Sequence, residues 1–513
     1  MRKSYYFPIL SIVILIFACS KENTTLLVQE NAPATLSRNE IDTFIKHQIE
    51  TKHQFDWNTA SDEMIWSALQ QSDQIMSIGY KPSDEINVEE KLASIDLNTT
   101  KWKNARKQVL SIVLKYESST RKNISINTLE VWKENTLPVV DVRIENLATV
   151  KALRASNLVR YAEPMGYEPK EIGAAKSASS SGCGYNVGAT NLVADLDYVS
   201  ILPNSKQSWN YLYHNIPGAW TKTTGSGVKV FIIDTGCEFD QENLGNTFNQ
   251  GNSTGRTIEK IVTLPRSTFL GIPTGSKETA DDGCGHGTSM AGACAAPRGI
   301  DGAACGVAYN CNLVTCRAAA DVYLDESREV KGASDAFTNA ANRADVKIIS
   351  MSMGKTTSSS QLKDAIIYAY GKGKLIFCAA GTSFGWSAGW FGVIFPGYMT
   401  EVNAVTGVKD NNFNNNCIDC HQGVETDFTV VMERATDGRS PLTLAMAGDV
   451  PSTVGGSSVA TATTAGMAAL IWSRFPLLSR DEVVTKMIQN SSNYPTKNNS
   501  LGWGNVNVNS ATN

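Results

Sequence analysis

Three short stretches of this 513-residue chain carry residue types that perform nucleophilic chemistry. In the stretch 455–466, two glycines precede Ser457 and Ser458, and small residues follow them. Glycines permit a tight turn, and the free N–H groups at a helix N-terminus can stabilise a developing oxyanion. Ser458 is therefore a candidate nucleophile. The alternative is that Ser457 or Ser458 only caps a helix, which is a frequent role of serine.

A candidate general base lies in the stretch 282–292, where glycines flank His286 at a predicted helix start. Histidine suits proton transfer at neutral pH because its pKa lies near the working value. The other four histidines of the chain lack this setting and are predicted to lie at the surface: His47, His53, His214 and His421.

A candidate acid follows the apolar run 228–233, which predicts a buried strand ending at Asp234. Catalytic groups of parallel sheets collect at the carboxyl ends of strands, although Asp234 could also be a simple turn residue. A carboxylate, an imidazole and a hydroxyl can act together: the carboxylate orients the imidazole, which takes the proton of the hydroxyl.

The elements that must position these residues follow from the periodicity of the chain. From 206 to 513, strands alternate with helices, which predicts an α/β domain whose mostly parallel sheet is covered by helices on both faces. The segment 41–168 predicts a smaller α+β domain, with helices up to Glu117, a strand over 137–144, a helix over 148–155 and a strand over 159–164. The segment 169–205, with its Ala-Ser-rich run, predicts a linker.

The N-terminus predicts export. Arg2 and Lys3 precede an apolar run over 5–17, so residues 1–18 are predicted to be a signal peptide. The run ends in a stretch similar to a bacterial lipobox, with Cys19 as the lipidated residue and 19–40 as a tether. The alternatives are ordinary signal cleavage or an uncleaved anchor. The net charge of −4 shows no basic excess, so no nucleic-acid partner is expected.

Ten cysteines remain after Cys19, an even number that is typical of disulfides in an exported chain. The sequence does not determine which of them pair: Cys183, Cys237, Cys284, Cys294, Cys305, Cys311, Cys316, Cys378, Cys417 and Cys420. Cys417, Cys420 and His421 also match the C-x-x-C-H pattern of covalent haem attachment. A disulfide within the Asn-rich loop is the main interpretation of this motif, with a metal site or haem as alternatives.

Asp234, His286 and Ser458, in this chain order, resemble the triad of the subtilisin-like serine proteases, the subtilases. The resemblance extends from about Ser208 to Asn507 and includes framework stretches at 306–314, 346–354, 361–381 and 502–507. It implies a serine endopeptidase that acts on polypeptides. Members of the family often bind calcium, but no ligands can be assigned here, and no cofactor is expected to be required.

The resemblance also implies where a substrate lies. One stretch is expected to pair with the substrate backbone, and a second to form a wall of the pocket for the residue before the cleaved bond. These residues are Ser352, Met353 and Gly354 in the first stretch, and Ala379, Ala380 and Gly381 in the second.

One position departs from the family pattern. The family places an asparagine after the Ala-Ala-Gly run, where its amide donates to the oxyanion, and this chain has Thr382. Loss of one such donor costs about 10²- to 10³-fold in turnover, a magnitude that comes from this same family. Two functions therefore stay open: an active endopeptidase, and a weak or inactive pseudoprotease that binds peptides or a partner.

The end of the segment 41–168 resembles the propeptide that precedes subtilisin-like catalytic domains. It implies that the chain is a zymogen whose own N-terminal domain is a partner of the catalytic domain. The alternative is an independent binding domain that stays attached.

Overall fold

The apolar runs in the C-terminal part of the chain form the strands of one central sheet. The computed structural model describes residues 35–169, 183–184, 186–269, 272–382 and 392–513. The elements of the N-terminal region are α1 (Arg38–Lys52), α2 (Asp62–Gln70), β1 (Ile75–Tyr80), α3 (Val88–Lys91), α4 (Thr100–Glu117), β2 (Glu130–Trp132), β3 (Val139–Arg143), α5 (Leu147–Arg154) and β4 (Val159–Pro164).

The remaining elements belong to the C-terminal region, which includes the predicted α/β domain. They are β5 (Tyr198–Ile201), β6 (Ser205–Ser208), α6 (Ile216–Ala219), β7 (Lys229–Asp234), β8 (Ile258–Val262), β9 (Thr268–Phe269), β10 (Ile272–Pro273), α7 (His286–Ala295), β11 (Asn312–Arg317), α8 (Ser327–Ala341), β12 (Val346–Met351), α9 (Ser360–Gly371), β13 (Leu375–Ala379), β14 (Asn403–Lys409), β15 (Thr426–Glu433), β16 (Leu442–Thr443), β17 (Ser452–Thr453), α10 (Gly456–Arg474), α11 (Arg480–Gln489) and α12 (Val508–Ala511).

The central sheet has seven strands in the order β15-β14-β13-β12-β7-β11-β8, and every pairing is parallel. Helices α7 and α10 belong to the apolar core on one face of the sheet, and α8 and α9 belong to the core on the other face. Burial on both faces explains why β7 and β12 are apolar along most of their length. The predicted α/β fold with a mostly parallel sheet is confirmed.

The N-terminal region forms a four-stranded antiparallel sheet in the order β2-β3-β1-β4. Its apolar residues share one core with α8 and α9, so the described chain from Thr35 onwards is a single packed unit. Arg160 on β4 forms a buried ion pair with Asp364 on α9, with Nη1 3.1 Å from Oδ1. Lys331 on α8 lies 3.1 Å from Glu134 and is equally buried.

Two further carboxylates of the N-terminal region reach groups of the C-terminal region. Glu163 accepts hydrogen bonds from the backbone N–H and the hydroxyl of Ser360, the first residue of α9. A carboxylate at a helix N-terminus satisfies a free N–H group and interacts favourably with the helix dipole. Glu168 accepts from the N–H groups of Thr356 and Thr357, just beyond the end of β12.

Three local expectations differ from the structure. Ile75 to Tyr80 form the strand β1 inside a stretch predicted to be helical. Helix α1 begins at Arg38, within the predicted tether, because the Ser37 side chain caps it and Glu40 completes a capping box. The predicted linker 169–205 contains β5, which pairs with β6 in an antiparallel hairpin.

Two disulfides lie in the described chain, Cys183–Cys284 and Cys417–Cys420. The six other cysteines of the described residues are buried thiols: Cys237, Cys294, Cys305, Cys311, Cys316 and Cys378. Within the residues that the structure describes, no helix combines the length and the apolar character needed to span a bilayer.

Candidate active site

Asp234 and His286 meet at the carboxyl end of β7. Asp234 is the last residue of that strand and is fully buried, and His286 is the first residue of α7. The imidazole Nδ1 lies 2.7 Å from Asp234 Oδ1, which also accepts a hydrogen bond from the N–H of Thr235. With its Nδ1 proton directed at the carboxylate, His286 presents Nε2 as the free base.

The carboxylate also controls the charge of the imidazole. Burial of His286 works to lower its pKa, but the negative charge of Asp234 and the hydrogen bond to it have the larger combined effect, so the pKa is raised above 6.5. Asp282 adds a smaller electrostatic contribution in the same direction. The imidazole is therefore a stronger base than an isolated histidine.

Asp282 organises the start of α7, a role that the sequence analysis did not assign to it. Its Oδ1 accepts from the N–H groups of Cys284 and Gly285 and from the hydroxyl of Thr235. Its Oδ2 accepts from the N–H and the hydroxyl of Thr288. One buried carboxylate thus ties the His286 loop to the end of β7. An acidic residue shortly before a helix start is the signal that could have identified it.

Ser458 lies in the first turn of α10, the long buried helix after the two glycines. Its Oγ is 3.5 Å from the carbonyl oxygen of Ser352, and the Ser352 hydroxyl donates to the Ser458 carbonyl over 3.0 Å. Ser352 follows β12, which is the neighbour of β7 in the sheet, with Met351 opposite Ile233. The nucleophile candidate and the Asp234–His286 pair therefore stand beyond the ends of adjacent strands. In this structure Ser458 Oγ is turned towards Ser352 and makes no hydrogen bond to His286.

Thr382 is held against the residue that precedes the candidate nucleophile. Its Oγ1 lies 2.9 Å from Ser457 Oγ and accepts a hydrogen bond from the Ser457 N–H at 3.3 Å. Gly456, with φ +82°, makes this approach possible, because a Cβ there would stand only 3.1 Å from Thr382 Oγ1. The threonine hydroxyl thus acts as a cap for the first turn of α10, which has no side-chain cap of its own.

A pocket beside Ser458 collects most of the predicted substrate-binding residues. Its lining includes Ser352, Met353, Gly354, Ala379, Gly381 and Thr382. Ala380 is fully buried instead, and its N–H donates to the carbonyl of Val405. Gly381 adopts φ +120°, and a Cβ there would lie 2.6 Å from the ring of His421, so only glycine suits this wall.

The backbone of Gly354 is already paired within the protein. Its N–H donates to the carbonyl of Val322 over 3.1 Å, and its carbonyl accepts from the N–H of Leu324 over 3.0 Å. An extended peptide that follows this stretch would therefore find its backbone partners nearer to Ser352 than to Gly354.

Two histidines that were predicted to be exposed are buried, so those predictions are wrong. His214 bonds the carbonyl of Val506 through Nδ1 and accepts from the N–H of Val431 at Nε2, and burial lowers its pKa to about 4. It is a core histidine that joins the C-terminal tail to β15. His421 is 6% exposed and lines the pocket beside Ser458. His47 and His53 lie at the surface as predicted.

Cys417 and Cys420 of the C-x-x-C-H motif form a disulfide. The motif adjoins the pocket, because Cys420 pairs with Thr382 through backbone groups and the His421 N–H donates to the Gly381 carbonyl. Within the described residues, no group of three or more His, Cys, Asp or Glu side chains is arranged to hold a metal ion. Cys19 lies outside the described residues.

Comparison with known proteins identifies the family of the chain. The model of the subtilase family matches residues 225–504, which is more than half of the chain. The chain belongs to the subtilase family. It is 27% identical to a subtilisin of Bacillus sp. (strain TA39) over 294 residues, which span 53% of this chain and 62% of that protein. It is also 27% identical to thermitase of Thermoactinomyces vulgaris over 260 residues, 50% of this chain and 79% of thermitase.

Among solved structures, a protease from Pseudoalteromonas arctica is 24% identical, with a TM-score of 0.45 over 59% of this chain and 96% of that one. Family membership and the named serine proteases assign this subtilase to the serine-type endopeptidases. The segment before residue 225 lies outside the family match.

Proposed function

We propose that this subtilase hydrolyses peptide bonds, with Ser458 as nucleophile, His286 as general base and Asp234 as the group that orients the imidazole. The observation that carries the proposal is the 2.7 Å hydrogen bond between His286 Nδ1 and Asp234 Oδ1 at the end of β7. Ser458 contacts Ser352 beyond the end of the neighbouring strand β12. A buried carboxylate bonded to Nδ1 fixes the tautomer that leaves Nε2 free to accept a proton.

In the proposed reaction, rotation about the Cα–Cβ bond turns Ser458 Oγ away from the Ser352 carbonyl. The oxygen then attacks the scissile carbonyl carbon while its proton passes to His286 Nε2. The imidazolium returns that proton to the leaving amine, which gives an acyl-enzyme and a free amine product. Water repeats the sequence and releases the carboxylic acid. No cofactor enters this chemistry, and no calcium ligands are assigned.

The proposed oxyanion site consists of the N–H of Ser458 and the hydroxyl of Thr382. The first lies in the first turn of α10, and the second lines the same pocket. Substrates are proposed to be extended polypeptides that pair with the backbone near Ser352 and Met353. Pairing through the backbone makes little demand on substrate sequence.

A fluorophosphonate probe tests this proposal directly, because it reacts only with an activated serine. Wild type should be labelled and should hydrolyse a denatured protein substrate, and Ser458→Ala should do neither. Ser473→Ala is a suitable control, since this serine lies in the same helix with its hydroxyl on the carbonyl of Ser226. An unlabelled wild-type protein that still binds peptides would favour the pseudoprotease instead.

We further propose that the N-terminal region is a propeptide that blocks the catalytic region and is later cut off. Its buried ion pairs with α8 and α9 and the contacts of Glu168 beside the pocket support this role. A parallel sheet has many non-local contacts and folds slowly without a template, which is a physical reason for such a region. The cut is proposed between Glu163 and Asn204, with 167–184 as the preferred window.

The protein is proposed to be exported from a bacterial cell and lipid-anchored through Cys19 until that cut releases it. A labelled fatty acid should be incorporated into wild type and not into Cys19→Ala. Equal incorporation into both proteins would refute the anchor.

A further inference from the structure

The side chain of Thr382 raises a question about the oxyanion site. It stands where the family has a longer amide donor, and the structure bonds it to Ser457 by two hydrogen bonds. Ser457 is 1% exposed, whereas Thr382 is half-buried and lines the pocket. The number of hydrogen bonds that these two hydroxyls can donate and accept limits which hydrogen bonds Thr382 can make to a substrate.

A hydroxyl carries one proton and two acceptor positions. The oxygen of Ser457 makes one side-chain hydrogen bond, to Thr382, so a buried Ser457 proton has Thr382 Oγ1 as its acceptor. A buried donor left without an acceptor would be costly, which favours this direction of the bond. Thr382 Oγ1 then accepts twice from residue 457, once from its N–H and once from its hydroxyl.

With both acceptor positions of Thr382 occupied, the only hydrogen bond that its hydroxyl can still make is as a donor. Because Thr382 lines the pocket beside Ser458, that proton is available to a developing oxyanion. Donation from Ser457 also polarises the Thr382 O–H and makes it a stronger donor. Gly456 allows the two hydroxyls to approach each other.

We propose that Ser457 is a positioning residue that directs and strengthens the Thr382 hydroxyl as the oxyanion donor of this enzyme. The inference rests on the proposed function, and it explains how a subtilase without the usual asparagine could retain turnover. Ser457 itself does not touch the reacting atoms. Its effect passes entirely through Thr382, and this makes the proposal testable.

A double-mutant cycle on the full-length enzyme tests the dependence. Thr382→Val should lower kcat on the order of 10²-fold, since one donor is lost. Ser457→Ala should lower kcat on the order of 10-fold, since only the orientation of the donor is lost. In the Thr382→Val background, Ser457→Ala should have an effect of about twofold or less, because the residue through which it acts is absent.

Affinity for a peptide aldehyde separates positioning from a merely structural role. The aldehyde adds to Ser458 and places an oxygen in the oxyanion site. In Ser457→Ala, the Ki of the aldehyde should therefore rise in parallel with the fall in kcat, while KM for a peptide stays constant. Ser457→Thr, which keeps the hydroxyl, should restore both values. Thr464→Val is the matched control, because this buried hydroxyl of α10 bonds only the carbonyl of Ala460.

Two results would overturn the inference: unchanged kcat and Ki in Ser457→Ala, or a loss that is equally large with and without Thr382. If Ser457→Ala does not fold, Ser457→Cys, whose thiol is a weak donor, provides the same comparison. A wild-type protein that neither hydrolyses peptides nor reacts with the fluorophosphonate would instead overturn the proposed function, and this inference would fall with it.

Discussion

At the residue scale, the Asp234–His286 pair determines how activity depends on pH. His286 must be neutral to accept the serine proton, and its pKa is raised above 6.5 because the charge and the hydrogen bond of Asp234 outweigh the opposing effect of burial. A raised pKa keeps the imidazole protonated to a higher pH. Activity should therefore rise with pH through a midpoint above 6.5, measured as kcat/KM against pH.

Asp234→Asn provides the control for that prediction. The amide removes the charge that stabilises the imidazolium, so the midpoint should move to lower pH and kcat should fall by about 10⁴-fold, the loss known for the equivalent change in a serine protease triad. A wild-type midpoint at or below 6.5, or one that Asp234→Asn leaves in place, would contradict the electrostatic account.

Contacts between local motifs and contacts that form only in the folded chain differ in how well the sequence reveals them. Asp234 and His286 belong to compact motifs at element ends, and the structure brings them together. The burial of His214 depends on Val431 and Val506, which are more than 200 residues away in the chain. Such a contact leaves no local pattern. The pairing of Thr382 with Ser457 across 75 residues escaped prediction for the same reason.

At the element scale, the contacts between the N-terminal sheet and α9 should depend on pH. Burial raises the pKa of Glu163 to about 7, despite its hydrogen bonds to Ser360 and the nearby charge of Lys363. Burial likewise raises the pKa of Asp141, beside Gln361, to about 7, although Lys331 opposes this shift. A carboxyl whose pKa is raised by docking contributes its full stabilisation of the docked state at pH values below its ordinary pKa. That contribution is lost as the pH rises through about 7.

We therefore expect the cleaved N-terminal region to dissociate more readily at pH 8.5 than at pH 5.5. The measurement is size-exclusion chromatography of processed wild type, inactivated with the fluorophosphonate, at a series of pH values. Glu163→Gln cannot ionise and should flatten the dependence. Tighter association at high pH in the wild type would show that the ion pairs of Arg160 and Lys331 dominate instead.

The elements themselves were largely predictable because the central strands are apolar runs bounded by turns. The strand Val159–Pro164 has the predicted bounds, and the helix Leu147–Arg154 lies one residue from its prediction. The strand β1 was missed because apolar residues at helical spacing precede it and all six of its residues are buried, so no alternation marks it as a strand. Its position between β3 and β4 is determined by tertiary structure, through pairing with strands that are distant in the sequence.

At the scale of the whole molecule, processing should depend on the enzyme's own activity. Wild type is expected to yield a chain that begins between Glu163 and Asn204, while Ser458→Ala accumulates as the uncut precursor. Mass spectrometry of both purified proteins provides the measurement. The Ser473→Ala protein should be processed like wild type. Identical processing of Ser458→Ala would mean that another protease cuts the chain or that the region is not a propeptide.

The Cys183–Cys284 disulfide joins the segment after the N-terminal region to a residue two positions before His286. Asn186 strengthens the same junction, because its side chain donates to the Gly285 carbonyl over 2.7 Å. A cut on the N-terminal side of Cys183 divides the chain into two separate molecules, one of which can diffuse away. A cut on the C-terminal side leaves a two-chain protein that only a thiol reductant can separate. The position of the proposed cut relative to Cys183 would thus determine whether the shortened enzyme is free or still coupled to its former N-terminus.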